Sequence, residues 1–472
     1  MKFNDYYYVC VSEKRIYHTL PKFVSNQDKE QMFDGHSYNK GGRILHMLRN
    51  YIGDEAFFKG ISNYLNANKF KAAEFHQLRL AFEEVSGEDL NWFFNQWYLG
   101  SGHPILEVNQ QIDAASNTVT VSVKQNQSLE LSPIFKLPLE IAVFDSNGKH
   151  VHKVVVDKLN QTFMLPYSGT LNNVVFDNQQ MLLAKISETK PTEQYIFQFY
   201  NGQRYRARKE GLINGSKSKD QKGQQLILDA LNDPFWNIRL IAIEKAAKLN
   251  VDNKDKGISL IKDLALNDPK SQVRSAALNF LSNNLGADAI TEVYIDRIEK
   301  DQSYLVISNA LKNLGKANPT IALAKAKGLE NEKSSKMISG VAQLYGSYGE
   351  KENYEFFNTV LKGTILQGFD QLSVMNSLTY FITRQEPEMM DQSFELYSHL
   401  NAEGGYYTKM FIPQNINYLL SMFDSKIEEL ETEIALHEKN KDAVYADRAR
   451  KKQKLFKAMK VKFEILAVKG EE

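Results

Sequence analysis

Cysteine is almost absent from this sequence of 472 residues, which contains Cys10 and no second cysteine. A single cysteine excludes an intrachain disulfide, and with it the class of small disulfide-stapled scaffolds. Long apolar runs are lacking too, because no stretch approaches the roughly 20 residues that a membrane-spanning helix requires. The first residues show no signal-peptide pattern. We expect no membrane partner, and a cytoplasmic protein as the sequence is written, or a periplasmic or extracellular one if an upstream signal was lost.

An excess of either charge is also missing, since 58 Lys and Arg residues face 57 Asp and Glu residues and the formal net charge is +1. This balance provides no overall electrostatic reason to bind nucleic acid, so we expect no nucleic-acid partner. The contents of apolar residues (43%) and charged residues (24%) are typical of an ordinary globular protein. The length predicts about three domains, at roughly 150 residues per domain.

The spacing of the apolar residues changes twice along the chain and predicts where these domains lie. Residues 1–103 carry apolar residues at helical spacing, interrupted by glycines, and favour a small block of helices. Residues 104–187 alternate apolar and polar residues in short runs separated by turns, which is typical of a β-sandwich. Residues 188–472 return to helical spacing. We therefore predict a multidomain, mainly α-helical chain with a β-sandwich between two helical parts.

An internal repeat marks the second helical part. Residues 231–234 and residues 266–269 both read Leu-Asn-Asp-Pro, and each copy is followed by an arginine, Arg239 or Arg274, so the two copies are offset by 35 residues. A weaker third copy begins at Asp301. An Asp-Pro turn with an arginine at fixed distance is similar to HEAT-type helical hairpins, which stack into a solenoid. We therefore predict a HEAT-like helical domain over the last part of the chain.

Three segments of the first region resemble a known family. Residues 38–41 read Tyr-Asn-Lys-Gly, residues 53–57 read Gly-Asp-Glu-Ala-Phe, and residues 97–104 end in the turn Gly-His-Pro. Together they resemble the second half of the catalytic domain of the M1-family zinc aminopeptidases, the gluzincin group. The resemblance implies that residues 1–103 are the C-terminal helical part of a thermolysin-like catalytic domain. It also implies an activity, the hydrolysis of N-terminal residues from peptides, and a cofactor, zinc.

The resemblance singles out Tyr38 as the candidate catalytic residue. The tyrosine of the Tyr-x-Lys-Gly motif stabilises the oxyanion in M1 enzymes, and Tyr38 is the matching position. A phenol has a reference pKa of about 10 and is a proton donor at neutral pH. A preorganised donor aimed at the developing oxyanion lowers the barrier by several kcal/mol. The residues that bind the substrate otherwise stay unassigned.

The zinc-binding motif of the family does not occur in the sequence. Neither His-Glu-x-x-His nor the Gly-x-Met-Glu-Asn segment that holds a peptide N-terminus is present among the 472 residues. The histidines near the motif, His36 and His46, lack the spacing of metal ligands, and His103 lies in the Gly-x-Pro turn. His150 and His152 share one face of a predicted strand but have no third candidate nearby. We therefore predict no metal ligands in this chain and no zinc bound to the chain alone.

Two classes of function follow. In the first, the chain is the C-terminal portion of an M1-type aminopeptidase and comes from a truncated or split gene or from a misassigned start. Such a chain would be inactive alone and would act on peptides if the missing half completes it. In the second, it is a non-catalytic scaffold whose helical repeats bind a partner. On the first view, a half domain exposes apolar surface, which promotes association. We therefore expect self-association through the exposed face of residues 1–60.

Overall fold

The structure, a computed structural model, describes residues 35–468. Its internal contacts divide the chain into two compact units, Met1–Leu226 and Ile227–Glu472. The predicted domain limits at residues 103 and 187 both fall within the first unit, and the division into three domains stays a prediction. Cys10 and more than half of the expected self-association surface lie outside the described residues. Among residues 35–468, no helix combines the length and the apolarity needed to cross a bilayer.

The described part of the first unit begins with a block of helices, as predicted for this region. A π-helical turn, His36–Lys40, leads into α1 (Gly41–Ile52), α2 (Asp54–Asn68), α3 (Phe75–Ser86) and α4 (Asn91–Phe94), which is followed by the π-helical turn Asn95–Leu99. Gly53, with φ of 85°, separates α1 from α2, and Gly87 ends α3 in the left-handed conformation that glycine adopts without strain. Residues 91–99 are therefore an α-helical turn continued by a π-helical one.

Seven strands follow and form two sheets. They are β1 (Ile105–Asp113), β2 (Thr118–Gln125), β3 (Leu137–Asp145), β4 (Gly148–Val156), β5 (Asn160–Pro166), β6 (Asn173–Val175) and β7 (Lys185–Thr189). One sheet has the order β5-β2-β1-β7 and the other the order β4-β3-β6, with β1 and β7 as a parallel pair and the other pairs antiparallel. The alternation in β2 buries Val119, Val121 and Val123 on one face, as the period-two pattern requires.

One continuous apolar core joins the helices α1 to α4 to both sheets. Its buried members include Ile44 and Leu48 of α1, Trp97 of the π-helical turn, Val121 of β2 and Ile141 of β3. The ring of Trp97 lies 5.2 Å from that of Phe135, centroid to centroid, which couples the helical block to the start of β3. Because neither region buries its apolar face by itself, the two regions that we separated at residue 103 pack as one unit.

Two further helices complete the first unit. They are α5 (Thr192–Asn201), which packs against β6, and α6 (Tyr205–Gly215), which packs against α5. Gly211 allows the close approach, because a Cβ there would lie 2.6 Å from the backbone nitrogen of Phe199. A helix pair without this glycine would have to separate.

The second unit is all helical in the residues described. Its helices are the end of α7 (Gln221–Leu231), whose first residues belong to the first unit, and then α8 (Trp236–Lys245), α9 (Val251–Asn267), α10 (Ser271–Leu285), α11 (Thr291–Lys300), α12 (Tyr304–Ala317), α13 (Pro319–Lys327), α14 (Ser335–Tyr348), α15 (Tyr354–Lys362), α16 (Gly368–Thr383), α17 (Pro387–Glu403), α18 (Tyr406–Lys439) and α19 (Ala443–Val468). Alternate helices form a stacked series, in which α8 contacts α10, and contacts follow in turn to α12, α14, α16 and α18. Residues 35–468 are thus mainly helical with some sheet structure, which agrees with the predicted mainly α-helical class.

The Asp-Pro repeat forms a ladder of buried ion pairs. Arg239 donates to both carboxylate oxygens of Asp268, at 2.6 and 2.8 Å, and to the carbonyl of Asp233 in its own turn, at 2.8 Å. Arg274 does the same one repeat later, at 2.7 Å to each oxygen of Asp301 and at 2.7 Å to the carbonyl of Asp268. Each arginine therefore ties its own Asp-Pro turn to the aspartate of the next copy, which explains why both residues recur at a fixed spacing.

Candidate functional site

Tyr38 lies in the π-helical turn His36–Lys40, immediately before α1. The amide nitrogens of Asn39 and Lys40 both donate to the carbonyl of Gly35, at 3.0 Å each, and the second of these bonds closes the wide turn. Single π turns are frequent at functional sites. Tyr38 is 61% exposed. The side chain of His36 lies outside the part of the chain that the structure describes.

Lys40, two residues after Tyr38, is buried. Burial lowers the pKa of its ammonium group from 10.5 to about 8, because a charged group loses solvation in the interior. The turn that carries Tyr38 therefore ends in a buried basic side chain. The sequence assigned no role to this lysine, and its burial is visible only in the tertiary structure.

Arg43 anchors α1 to the loop that follows β6. Its Nη2 donates to the carbonyls of Gln180 and Leu182, at 2.8 and 3.2 Å, across more than 130 residues of chain. A second bond in the same place joins Met47 to this loop, since the amide of Leu183 lies 3.2 Å from the sulfur of Met47. The helix that follows Tyr38 is therefore held by its own buried side chains and not by α2 alone.

Asp177 shapes the same loop. Its carboxylate accepts hydrogen bonds from the amides of Met181 and Leu182, at 3.1 Å each. Complete burial raises the pKa of this carboxyl, opposed by these amides and by the positive charges of Arg206 and Arg43. Asp177 also adopts φ of 52°, a left-handed conformation that asparagine and aspartate tolerate better than most residues. Sequence analysis missed both Arg43 and Asp177, although each is a charged residue next to a short apolar run, Ile44-Leu45 and Val174–Phe176.

The histidines considered as metal ligands do not come together. His46 lies on α1 and His103 is buried in the turn before β1. His150 and His152 lie on β4, where Nε2 of His150 is 3.2 Å from the carboxylate of Asp145. Among residues 35–468, no group of three His, Cys, Asp or Glu side chains is placed to hold a metal ion. These residues do not fit a zinc site, and whether the chain binds zinc stays a prediction to be measured.

Comparison with known proteins assigns the first region to a family. Residues 10–97 match the Peptidase family M1 domain. This part of the chain is therefore similar to part of an M1 peptidase domain, and the chain resembles aminopeptidases of that family. The relatives include a probable aminopeptidase 1 from Sulfurisphaera tokodaii, 31% identical over 203 residues, which are 36% of this chain and 25% of that protein.

A second curated relative and a solved structure are also similar to this chain. The tricorn protease-interacting factor F2 of Thermoplasma volcanium is 30% identical over 165 residues, which cover 34% of this chain and 20% of that protein. A crystal structure of Legionella pneumophila aminopeptidase A in complex with aspartic acid has a similar fold, with a TM-score of 0.56 and 12% identity, covering 94% of this chain and 60% of that one. The chain matches a quarter or less of the length of these curated relatives.

Proposed function

We propose that this chain contributes the oxyanion-stabilising part of an M1-type aminopeptidase site, with Tyr38 as its catalytic residue. Two observations together support the proposal. Residues 10–97 match the M1 domain. The tyrosine of the Tyr-x-Lys-Gly motif is exposed just before α1, a helix that Arg43 holds to the loop after β6. The reaction is the hydrolysis of the N-terminal peptide bond. We do not propose the alternative of a non-catalytic scaffold.

Tyr38 would act as a hydrogen-bond donor. When water attacks the scissile carbonyl, its oxygen becomes negative, and a phenol O–H aimed at that oxygen stabilises the charge. Removing one such donor costs about 100-fold to 1,000-fold in turnover. The contacts of Arg43 and Met47 with the loop after β6 support this role, because they hold α1 and limit the movement of the turn that carries the donor.

Zinc supplies the activation of the attacking water in the M1 family. The described residues of this chain hold no set of ligands for it, so we propose that the chain alone binds no zinc and hydrolyses no peptide. In this proposal peptides become substrates when a zinc-binding half completes the site.

Elemental analysis and a peptidase assay on the purified chain test this proposal together. We expect a zinc content near zero and no turnover of alanyl-p-nitroanilide. Turnover above background, lost in Tyr38→Phe and kept in the matched control Tyr64→Phe on α2, would support the role of Tyr38 but refute the inactivity of the chain. Turnover that survives in Tyr38→Phe would contradict the assignment of Tyr38.

We also propose that the second unit is a HEAT-like solenoid. The support is the 35-residue repeat, the ladder of Arg–Asp pairs that links consecutive copies, and the contacts between alternate helices. A fragment that starts between two repeats should then keep its helicity, because each hairpin packs mainly on its neighbours. Circular dichroism of such fragments measures this, and complete loss of helicity on removal of one hairpin would contradict it.

Self-association through the face of residues 1–60 remains our proposal for an interaction of this chain. Support comes from two apolar side chains of this segment, Tyr38 and Phe58, which are 61% and 56% exposed. Light scattering with hydrogen exchange tests it. A monomer at all concentrations would refute the proposal.

A further inference from the structure

A cavity of about 280 Å³ lies in the first unit, on the outer face of β6. The alternation of this short strand explains its position. Val174 points into the apolar core, whereas Asn173 and Val175 line the cavity on the opposite face. Helix α5, which packs against β6, supplies one wall, and the start of α6 closes one end. The cavity is therefore a product of the fold and not of a single loop.

Asn173 is a buried polar side chain without a partner. It has no exposed surface, and within residues 35–468 neither its amide nitrogen nor its amide oxygen has a hydrogen-bond partner. Buried side-chain amides are nearly always hydrogen-bonded, so an amide with both groups unsatisfied calls for a ligand or ordered water. Asn173 is among the residues that line the cavity, so a group bound there lies next to this unsatisfied amide.

The charge of the cavity favours an anion. Its lining in the described part of the chain includes Lys149 of β4 and Arg204 at the start of α6, and it includes no carboxylate. Nη2 of Arg204 donates to Oε1 of Gln179 at 2.6 Å, which holds the guanidinium at the rim. No side chain caps the first turn of α6, an 11-residue helix, so the positive end of its dipole adds to the two cations.

Two aromatic side chains form an apolar part of the wall. The rings of Phe144 and Phe197 are 5.6 Å apart, centroid to centroid, in an edge-to-face arrangement, and both line the cavity. Both residues are half-buried. A planar or aliphatic group of a ligand could replace the solvent against these rings, whereas a fully polar ion would leave them exposed.

We propose that this cavity binds a carboxylate that adjoins a peptide group and an apolar side chain. That chemistry is found in a small N-acyl amino acid and in the C-terminal residue of a peptide. The carboxylate contacts Arg204 and Lys149, the peptide group satisfies the donor and the acceptor of Asn173, and the apolar side chain packs on Phe144 and Phe197. The proposal goes beyond the proposed function and does not depend on it, since the cavity requires neither zinc nor turnover.

Isothermal titration of the whole chain with N-acetylphenylalanine tests the proposal. We expect saturable binding at one site per chain, weakened about tenfold or more in Arg204→Gln and in Lys149→Gln, as the loss of a charged hydrogen bond predicts. The matched control is Lys153→Gln, which removes the same charge from the same strand outside the cavity and should leave the affinity within about twofold. Asn173→Ala should also weaken binding. If this variant does not fold, the affinities of Arg204→Gln and Lys149→Gln still test the proposal.

Two further ligands define what the cavity recognises. N-acetylphenylalaninamide, which lacks the carboxylate, should bind at least about tenfold more weakly. The peptide Ala-Ala-Ala-Phe separates the two sources: binding as tight as that of N-acetylphenylalanine indicates a peptide C-terminus, and weaker binding indicates a free small molecule. Absence of saturable binding by N-acetylphenylalanine, or equal affinity in Arg204→Gln, Lys149→Gln and Lys153→Gln, would overturn the proposal and leave a cavity filled by water.

Discussion

Replacing Arg274 with leucine should destabilise the second unit more than the loss of any exposed ion pair. Arg274 and Asp301 form a two-pronged pair, with both donor–acceptor distances at 2.7 Å, and only 1% of the Asp301 side chain is exposed. A leucine in place of Arg274 leaves this carboxylate buried without its main partner. It also removes the bond from Arg274 to the carbonyl of Asp268, which joins the Asp-Pro turn to the helix that follows it.

The size of the loss follows from what remains around the carboxylate. Breaking a buried ion pair by removing one partner costs about 3–5 kcal/mol. Two contacts survive here, because Nη1 of Arg297 lies 3.5 Å from Asp301 and the amide of Ser303 donates to it at 2.9 Å. We therefore expect a loss at the lower end, about 3 kcal/mol, which is a change of about a hundredfold in an equilibrium constant.

Hydrogen exchange measured by mass spectrometry localises this loss. Amides of α10 and α12 should exchange about a hundredfold faster in Arg274→Leu, because opening of the ladder becomes easier. The matched control is Arg450→Leu, in which the partner, Glu438, is 52% exposed and the expected loss is below about 1 kcal/mol. The double variant Arg274→Leu, Asp301→Leu should recover much of the stability, because it removes the buried carboxylate that the single variant leaves without its arginine.

The reasoning is wrong if exchange in α10 and α12 changes less than about tenfold in Arg274→Leu. It is also wrong if Arg450→Leu produces the same loss, because the burial of the pair would then not matter. A double variant less stable than the single one would show that the packing of the two side chains, and not their charge, holds the turn.

Three other predictions concern the pH dependence of stability and the substitution of two glycines. Burial alone would raise the pKa of Asp301, but the hydrogen bonds to its carboxylate and the charges of Arg274 and Arg297 outweigh burial and lower this pKa. The contribution of Asp301 to stability should therefore be complete above about pH 4 and be lost as the pH falls through the lowered pKa. Urea unfolding at several pH values measures this dependence. Gly60→Ala should cost about 1–3 kcal/mol, because its Cβ would lie 2.5 Å from the ring of Phe82; unchanged thermal stability would contradict this. Gly42→Ala should instead stabilise α1 by up to about 1 kcal/mol, because no described atom beyond the neighbouring residues and backbone of its own helix lies within 4 Å of the new Cβ; a lower melting temperature would contradict this.

Much of the local structure was predictable because it depends on neighbours in sequence. The helix that begins at Gly41 shows apolar residues at helical spacing and ends at a glycine, and the structure places it where the pattern does. The same holds for β2, whose alternating valines face the core. The family resemblance of the first region was predictable from residues 38–41 and 97–104, because a short motif constrains backbone and chemistry together.

The candidate site was predictable in part. Tyr38 follows from the motif, but its exposure and its π-helical turn do not, because they depend on how the turn meets α1. Arg43 and the loop that Asp177 shapes lie more than 130 residues apart, and their contact was missed, since no pattern in sequence relates positions that distant. Their meeting is decided by the packing of α1 on the loop after β6.

By itself, the sequence determined the order of helices and strands, the 35-residue repeat and the kinship with M1 peptidases, because periodicity and motifs are local properties of the chain. Only the tertiary structure decided that the regions on both sides of residue 103 share one core, because their apolar faces bury each other. It also decided that each repeat arginine reaches the aspartate of the next copy, and that Asn173 faces a cavity without a partner. Burial and long-range contact arise from the whole fold, and a linear pattern does not specify them.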